Sequence, residues 1–117
     1  ENNRDAVRDA ISNAKANRAD NVRFYTADAS DFLQGMAKAG EHADVVILDP
    51  PRAGSDERFL SAVTTVAPER VVYVSCNPET LLGYLTRHGY RVERIQPVDM
   101  FPHTEHIETA VALVKNP

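Results

Sequence analysis

The spacing of apolar residues changes along this chain, and each change predicts a different element. In ENNRDAVRDAISNAKAN, Val7, Ile11 and Ala14 recur at helical spacing, and Ala6 and Ala10 widen the stripe. Asn2 or Asn3 is placed to cap that helix, which is predicted to run to about Asn17. The short run NVRFYT predicts a strand over Val22–Thr26. Phe32, Leu33 and Met36 then share one helical face, with Ser30 or Asp31 as the cap and Gly40 as the stop near Ala39. Val45–Leu48 and Val71–Val74 are unbroken apolar runs, the pattern of strands covered on both faces. A helix over Ser55–Val66 separates them. Pro78 and Glu79 suit the first turn of another helix, which ends near His88 before Gly89. Arg91–Val98 and Thr109–Val114 read as two last strands joined by DMFPHTEHIE.

Alternating helices and strands predict an α/β domain with right-handed crossovers and a mostly parallel sheet. Ligands in such sheets sit at the carboxyl ends of the strands. Three unusual segments fall there: ADAS after the first strand, DPPR after the second and SCNP after the third. The loop DMFPHTEHIE follows them in the chain.

The remaining bulk properties narrow the classes. A chain of 117 residues, 43% apolar and 26% charged, suits one globular domain. No apolar run approaches the length of a membrane span, so no membrane partner is expected, and the polar start is not a signal peptide. A net charge of −4 argues against a free-standing nucleic-acid-binding module. The single cysteine forms no internal disulfide and fits a reducing cytoplasm. It also excludes zinc sites built from several cysteines. His103 and His106 lack an obvious third ligand, and no metal is expected. The chain starts at Glu1, inside a helix opening and without a methionine, which suggests a piece of a longer protein.

Cys76 has two readings. A lone cysteine is commonly an inert buried residue. Cys76, however, follows a strand and precedes a helix N-terminus, whose amides favour negative charge. A thiolate there suits attack on an electron-poor carbon. The phosphatase pattern Cys-x5-Arg is excluded by Leu82, and no CxxC exists. Asp49-Pro50-Pro51-Arg52 is either a rigid turn capping a helix or a frozen loop lining a flat pocket for a planar base. Glu108 lies in a loop with Phe101, His103 and His106, as a solvated acid or as a proton acceptor. Glu1 and Asp28 sit where sheet acids bond ribose hydroxyls or an adenine amino group, yet each also suits a helix cap.

Together, DPPR, SCNPET and DMFPHTEHIE, in that order, resemble the catalytic half of the S-adenosylmethionine-dependent RNA uracil-5-methyltransferases, which modify transfer or ribosomal RNA. The likeness extends through ENNRDAVRDAISNAKAN and NVRFYTADASDF, essentially the whole chain. It implies a Rossmann-like class I methyltransferase sheet lacking its first two strands and its glycine-rich cofactor loop. Residues 1–117 would be the C-terminal part of the catalytic domain. In the family's sheet the first two strands stand between the third and fourth, and the last slips between the fifth and sixth. Val22–Thr26, as the third strand, would then lack neighbours.

The resemblance assigns roles residue by residue. Cys76 matches the nucleophile that adds to uracil C6, and Glu108 matches the base that removes the C5 proton. Asp49 matches the acid between cofactor and base, and Glu1 and Asp28 match the cofactor acids. Pro50, Arg52 and Asn77 belong to the substrate side. S-adenosylmethionine is the implied cofactor, RNA the implied partner and the cytoplasm the implied compartment. An iron–sulfur cluster would belong only to a preceding segment. Ribosomal RNA is slightly favoured over transfer RNA on DMFPHT, although the Asp of DPPR and SCNPET lean the other way. This stretch alone is expected to bind cofactor weakly, to lack activity and to be able to dimerise through an exposed sheet edge. Three alternatives stand beside this reading: a cytosine-5-methyltransferase, an exocyclic-amine methyltransferase using Asp49-Pro50-Pro51, and a non-catalytic interaction domain.

Overall fold

The computed structural model describes residues 1–51 and 55–117. The chain begins with α1 (Arg4–Ala16), whose Asn3 cap accepts from the Asp5 and Ala6 amides. Helix α2 (Ala29–Ala39) follows, then strand β1 (Val45–Leu48), helix α3 (Glu57–Val66) and strand β2 (Arg70–Ser75). Helix α4 (Glu79–Arg87), strand β3 (Tyr90–Val98) and strand β4 (Glu108–Lys115) complete it.

The strands form one sheet in the order β1-β2-β4-β3. Only β1 and β2 pair in parallel; β2–β4 and β4–β3 are antiparallel, so the sheet is mixed rather than mostly parallel. The last strand in sequence inserts between its two predecessors, the order implied by the resemblance. The predicted strand at Val22–Thr26 does not form. A strand needs a neighbour to take up its backbone hydrogen bonds, and this segment has none. It lies as irregular chain along a hollow of about 560 Å³, whose other walls include Val7, Ala10 and Val46–Leu48.

Pairing register sorts the side chains between the two faces. Leu48 and Tyr73, Tyr73 and Val111, and Val71 and Leu113 are cross-strand partners on one face. That face carries the core, where Leu33, Leu60, Val63, Leu81 and Leu85 come down from α2, α3 and α4. The opposite face holds Ile47, Val72 and Ala112, and there the expectation of cover on both sides fails. Ile47 is 72% exposed, Val45 48%, and Val72 and Val74 are half-buried. The apolar run records what these strands can pack against; among the described residues only one helical layer packs on them.

Helix starts also differ locally. Asp28, not Ser30 or Asp31, caps α2 by accepting the Asp31 amide at 3.1 Å. Asp56 caps α3 by accepting the Phe59 amide at 2.7 Å, so that helix starts after Ser55. Gly40 ends α2 with φ +69°, a left-handed conformation that glycine tolerates without a Cβ clash.

Candidate active site

Three loops leave the carboxyl ends of β1 and β2 and the start of β4, and the sheet register aligns them. Leu48 pairs with Tyr73, so Asp49 leaves β1 beside the last residues of β2. Ser75 pairs with Thr109. Continuing that antiparallel register by one step sets Cys76, just past β2, beside Glu108, the first residue of β4. Two residues far apart in sequence thus come to the same end of the sheet on adjacent strands. Glu108 also pairs with Val98 on its other side, and both Cys76 and Glu108 are half-buried.

The turn carrying Cys76 is fixed by its neighbours. The buried Ser75 hydroxyl oxygen accepts the Asn77 amide at 2.9 Å across Cys76. Pro78 then opens α4 with helical φ and ψ and no side-chain cap, and its carbonyl accepts the Leu82 amide at 3.0 Å. The first-turn amides of α4, which begin three residues beyond the thiol, therefore keep their positive ends free of a side-chain cap. Asn77 is exposed beside the thiol, where its side chain is open to a ligand.

The loop 99–107 is held by its own bonds. Thr104 Oγ1 donates to the Phe101 carbonyl at 2.6 Å and accepts the His106 amide at 3.2 Å. His103 takes a positive φ of 65° in the tight turn between them. Both histidines are exposed, and no group of three potential metal-ligating side chains gathers among the described residues.

A second group surrounds a hollow of about 440 Å³ next to β1. Asp28, Ser30, Asp49, Pro50 and Phe59 are among its walls. Asp56, the cap of α3, also lines it, and the carboxylates of Asp28 and Asp49 with the flat faces of a proline and a phenylalanine suit hydroxyl or amino donors attached to a planar ring. Glu1 is not in this hollow: it lines the larger one beside α1, and its carbonyl accepts the Ala27 amide at 3.0 Å, one residue before Asp28. Its carboxylate accepts the Asn3 amide at 2.8 Å. Asp28 is thus a helix cap as well as a candidate ligand residue, whereas Glu1 bonds the amide of Asn3, the cap of α1. Arg52 lies outside the described residues. Cys76, Asn77 and Glu108 do not line the hollow; they stand at the end of the neighbouring strand.

Sequence reasoning missed Ser75, Thr104 and Phe59. Ser75 and Thr104 left one signal, since hydroxyl residues flanking a turn bond the backbone two residues away. Phe59 left none, being one apolar position among several on its helix.

A mixed sheet of this order, with helices on one face, is the fold seen in solved methyltransferases. The same fold is seen at 18% identity in M1.HpyAVI, solved as a complex with SAM, with a TM-score of 0.59 over 79% of this chain and 54% of that one. The sequence model described as tRNA (Uracil-5-)-methyltransferase matches residues 1–116, and the chain belongs to that family. It is 48% identical over 115 residues to an uncharacterized RNA methyltransferase of Caldanaerobacter subterraneus, covering 96% of this chain and 25% of that protein. A Geobacter sulfurreducens relative of the same description is 47% identical over 113 residues, 94% of this chain and 23% of that protein. The structure also resembles the Pyrococcus abyssi tRNA (uracil-54, C5)-methyltransferase, solved with S-adenosyl-L-homocysteine, at 36% identity and a TM-score of 0.73. That match covers 97% of this chain and 27% of that one. The chain thus spans about a quarter of the length of its curated relatives.

Proposed function

We propose that this chain is the C-terminal part of the catalytic domain of a cytoplasmic RNA uracil-5-methyltransferase. The observation that carries the reading is the β2–β4 register, which sets Cys76 beside Glu108 in a chain of this family. Uracil C5 is a weak nucleophile. Addition of the Cys76 thiolate at C6 places negative charge at C5 and prepares that carbon to accept a methyl group. Glu108 then takes the C5 proton, and the C6–S bond breaks to restore the ring and free the thiolate. S-adenosylmethionine, when bound, supplies the methyl group.

The residues present fit that cofactor. Asp28 and Asp49 offer acceptors in one hollow with Pro50 and Phe59 as flat walls, and Glu1 lines the larger hollow on the other side of Ala27. Asp49, Pro50 and Asn77 would face the target uridine, which must leave its base stack to be reached, and Arg52 keeps its substrate role from the resemblance alone. No helix among the described residues is long and apolar enough to cross a membrane. Ribosomal RNA is the first substrate reading, on the DMFPHT segment. Transfer RNA is the second, favoured by the 36% identity to the Pyrococcus abyssi enzyme. This stretch by itself holds part of the cofactor wall and is expected to be inactive.

The test is a covalent trap on the longer polypeptide, mixed with S-adenosylmethionine and RNA carrying 5-fluorouridine. Fluorine does not leave as a proton, so release stalls and a denaturation-resistant adduct accumulates. The expected adduct maps to Cys76 and disappears in Cys76→Ala. Methylation without any adduct would sink the proposal and favour amine methylation; 5-methylcytidine in the product would favour the cytosine alternative. Nucleoside mapping of ribosomal and transfer RNA separates the two substrates.

A further inference from the structure

Across the covered face of the sheet the rows are apolar: Val71 opposite Leu113, then Tyr73 opposite Val111. The next row breaks the pattern with Ser75 opposite Thr109. Ser75 is 7% exposed and, tyrosines aside, is the only polar residue buried among the described residues. Burying a hydroxyl opposes folding unless it finds a partner, so packing alone would be served by alanine or valine. The partner it finds is not in the core. Its Oγ accepts the Asn77 amide at 2.9 Å, closing a ring around the backbone of Cys76. Meanwhile its main chain is in register with Thr109, the neighbour of Glu108.

We propose that Ser75 is a positioning residue for Cys76. Its hydroxyl locks the strand-to-helix turn so that the thiol is held in one orientation beside Glu108. This rests on the reading of Cys76 as the nucleophile. Without the hydroxyl, the Asn77 amide loses its partner and the turn between β2 and α4 gains freedom. The thiol then spends less time on the path to C6, and the rate suffers while binding does not. The role lies in the oxygen, so threonine, which keeps an Oγ on the same atom, replaces serine and alanine does not.

The experiment compares wild type, Ser75→Ala, Ser75→Thr and Cys76→Ser in the longer polypeptide. It reads the adduct rate with 5-fluorouridine RNA, kcat and KM, cofactor affinity, melting temperature and amide exchange at Asn77. In Ser75→Ala the adduct rate and kcat are expected to fall by about tenfold to a hundredfold, the loss typical of a misplaced reacting group. KM and cofactor affinity stay within about twofold, and Asn77 exchange speeds up by about tenfold as its bond is lost. Ser75→Thr recovers most of the rate. Loss of activity in both variants with a matching drop in melting temperature would assign Ser75 a merely structural part and overturn the proposal. Should the threonine variant fail to fold, unchanged Asn77 exchange in Ser75→Ala overturns it alone. A wild-type adduct rate in Ser75→Ala, with none in Cys76→Ser, refutes the positioning role and leaves the nucleophile standing. Normal methylation by Cys76→Ser removes the nucleophile and this role with it.

Discussion

Tyr90 offers a clean perturbation because it sits at the opposite end of the sheet from the candidate site. It opens β3 with its ring 3% exposed, and its hydroxyl donates to the Pro68 carbonyl at 2.8 Å. Pro68 is itself fully buried, so no water takes over when the donor is removed. Tyr90→Phe keeps the packed ring and orphans that carbonyl, a loss of about 1–3 kcal/mol. For a domain of this size that lowers the melting temperature by roughly 4–12 °C. The pH dependence follows from the same burial, which pushes the phenol above its ordinary value. A raised value in the folded state favours the protonated phenol. That stability is fully present below the ordinary tyrosine value of about 10 and is lost as pH rises through the folded one. Urea unfolding followed by circular dichroism from about pH 7 to 11 would test both parts, because the other titrating groups are common to the two proteins and cancel in the difference. The gap between wild type and Tyr90→Phe should be constant to about pH 10 and shrink above it. Equal midpoints at neutral pH, or parallel curves through the alkaline range, would refute the reasoning.

The other predictions concern the site and the sheet. Asp28→Asn keeps an oxygen for the Asp31 amide and should leave stability within about 0.5 kcal/mol, whereas Asp28→Ala should lose about 1 kcal/mol. Both should weaken S-adenosylmethionine binding to the longer polypeptide, and equal affinity of wild type and Asp28→Asn by calorimetry would limit Asp28 to capping. Glu108→Gln should still form the adduct with ordinary RNA but fail to release it, so a denaturation-resistant band without 5-fluorouridine is expected; rapid turnover would exclude Glu108 as the base. Leu113→Ala removes a fully buried side chain and should destabilise the chain by about 2–5 kcal/mol in chemical denaturation. The open outer edge of β1 should let this chain self-associate, and Ile47→Lys should return it to a monomer in sedimentation runs.

The sequence was most readable where one local signal settles one feature. Asn3, Gly40 and Pro78 mark helix ends by chemistry that acts within a turn, and the structure places them there. It was less readable where two residues competed: Asp28 and Asp31 both suit the cap of α2, and only the first has the extended backbone a cap needs. Val22–Thr26 has strand composition but no partner, and composition does not count partners. The same blindness made β1 and β2 look covered on both faces.

Register, by contrast, is global, and it decides the site. Nothing in the residues between Cys76 and Glu108 states that they are neighbours. What places them together is the insertion of β4 beside β2, and that register is held by burial of Tyr73, Val111 and Leu113 on one face. A slip of one residue would turn Val111 and Leu113 out of the core and carry Glu108 to the other face. Several kcal/mol of apolar burial therefore guard the proposed pairing of thiol and carboxylate. The helix-facing core and the proposed chemistry are two consequences of one strand alignment, so substitutions that loosen Val111 or Leu113 should cut methyl transfer by the longer polypeptide before they unfold it.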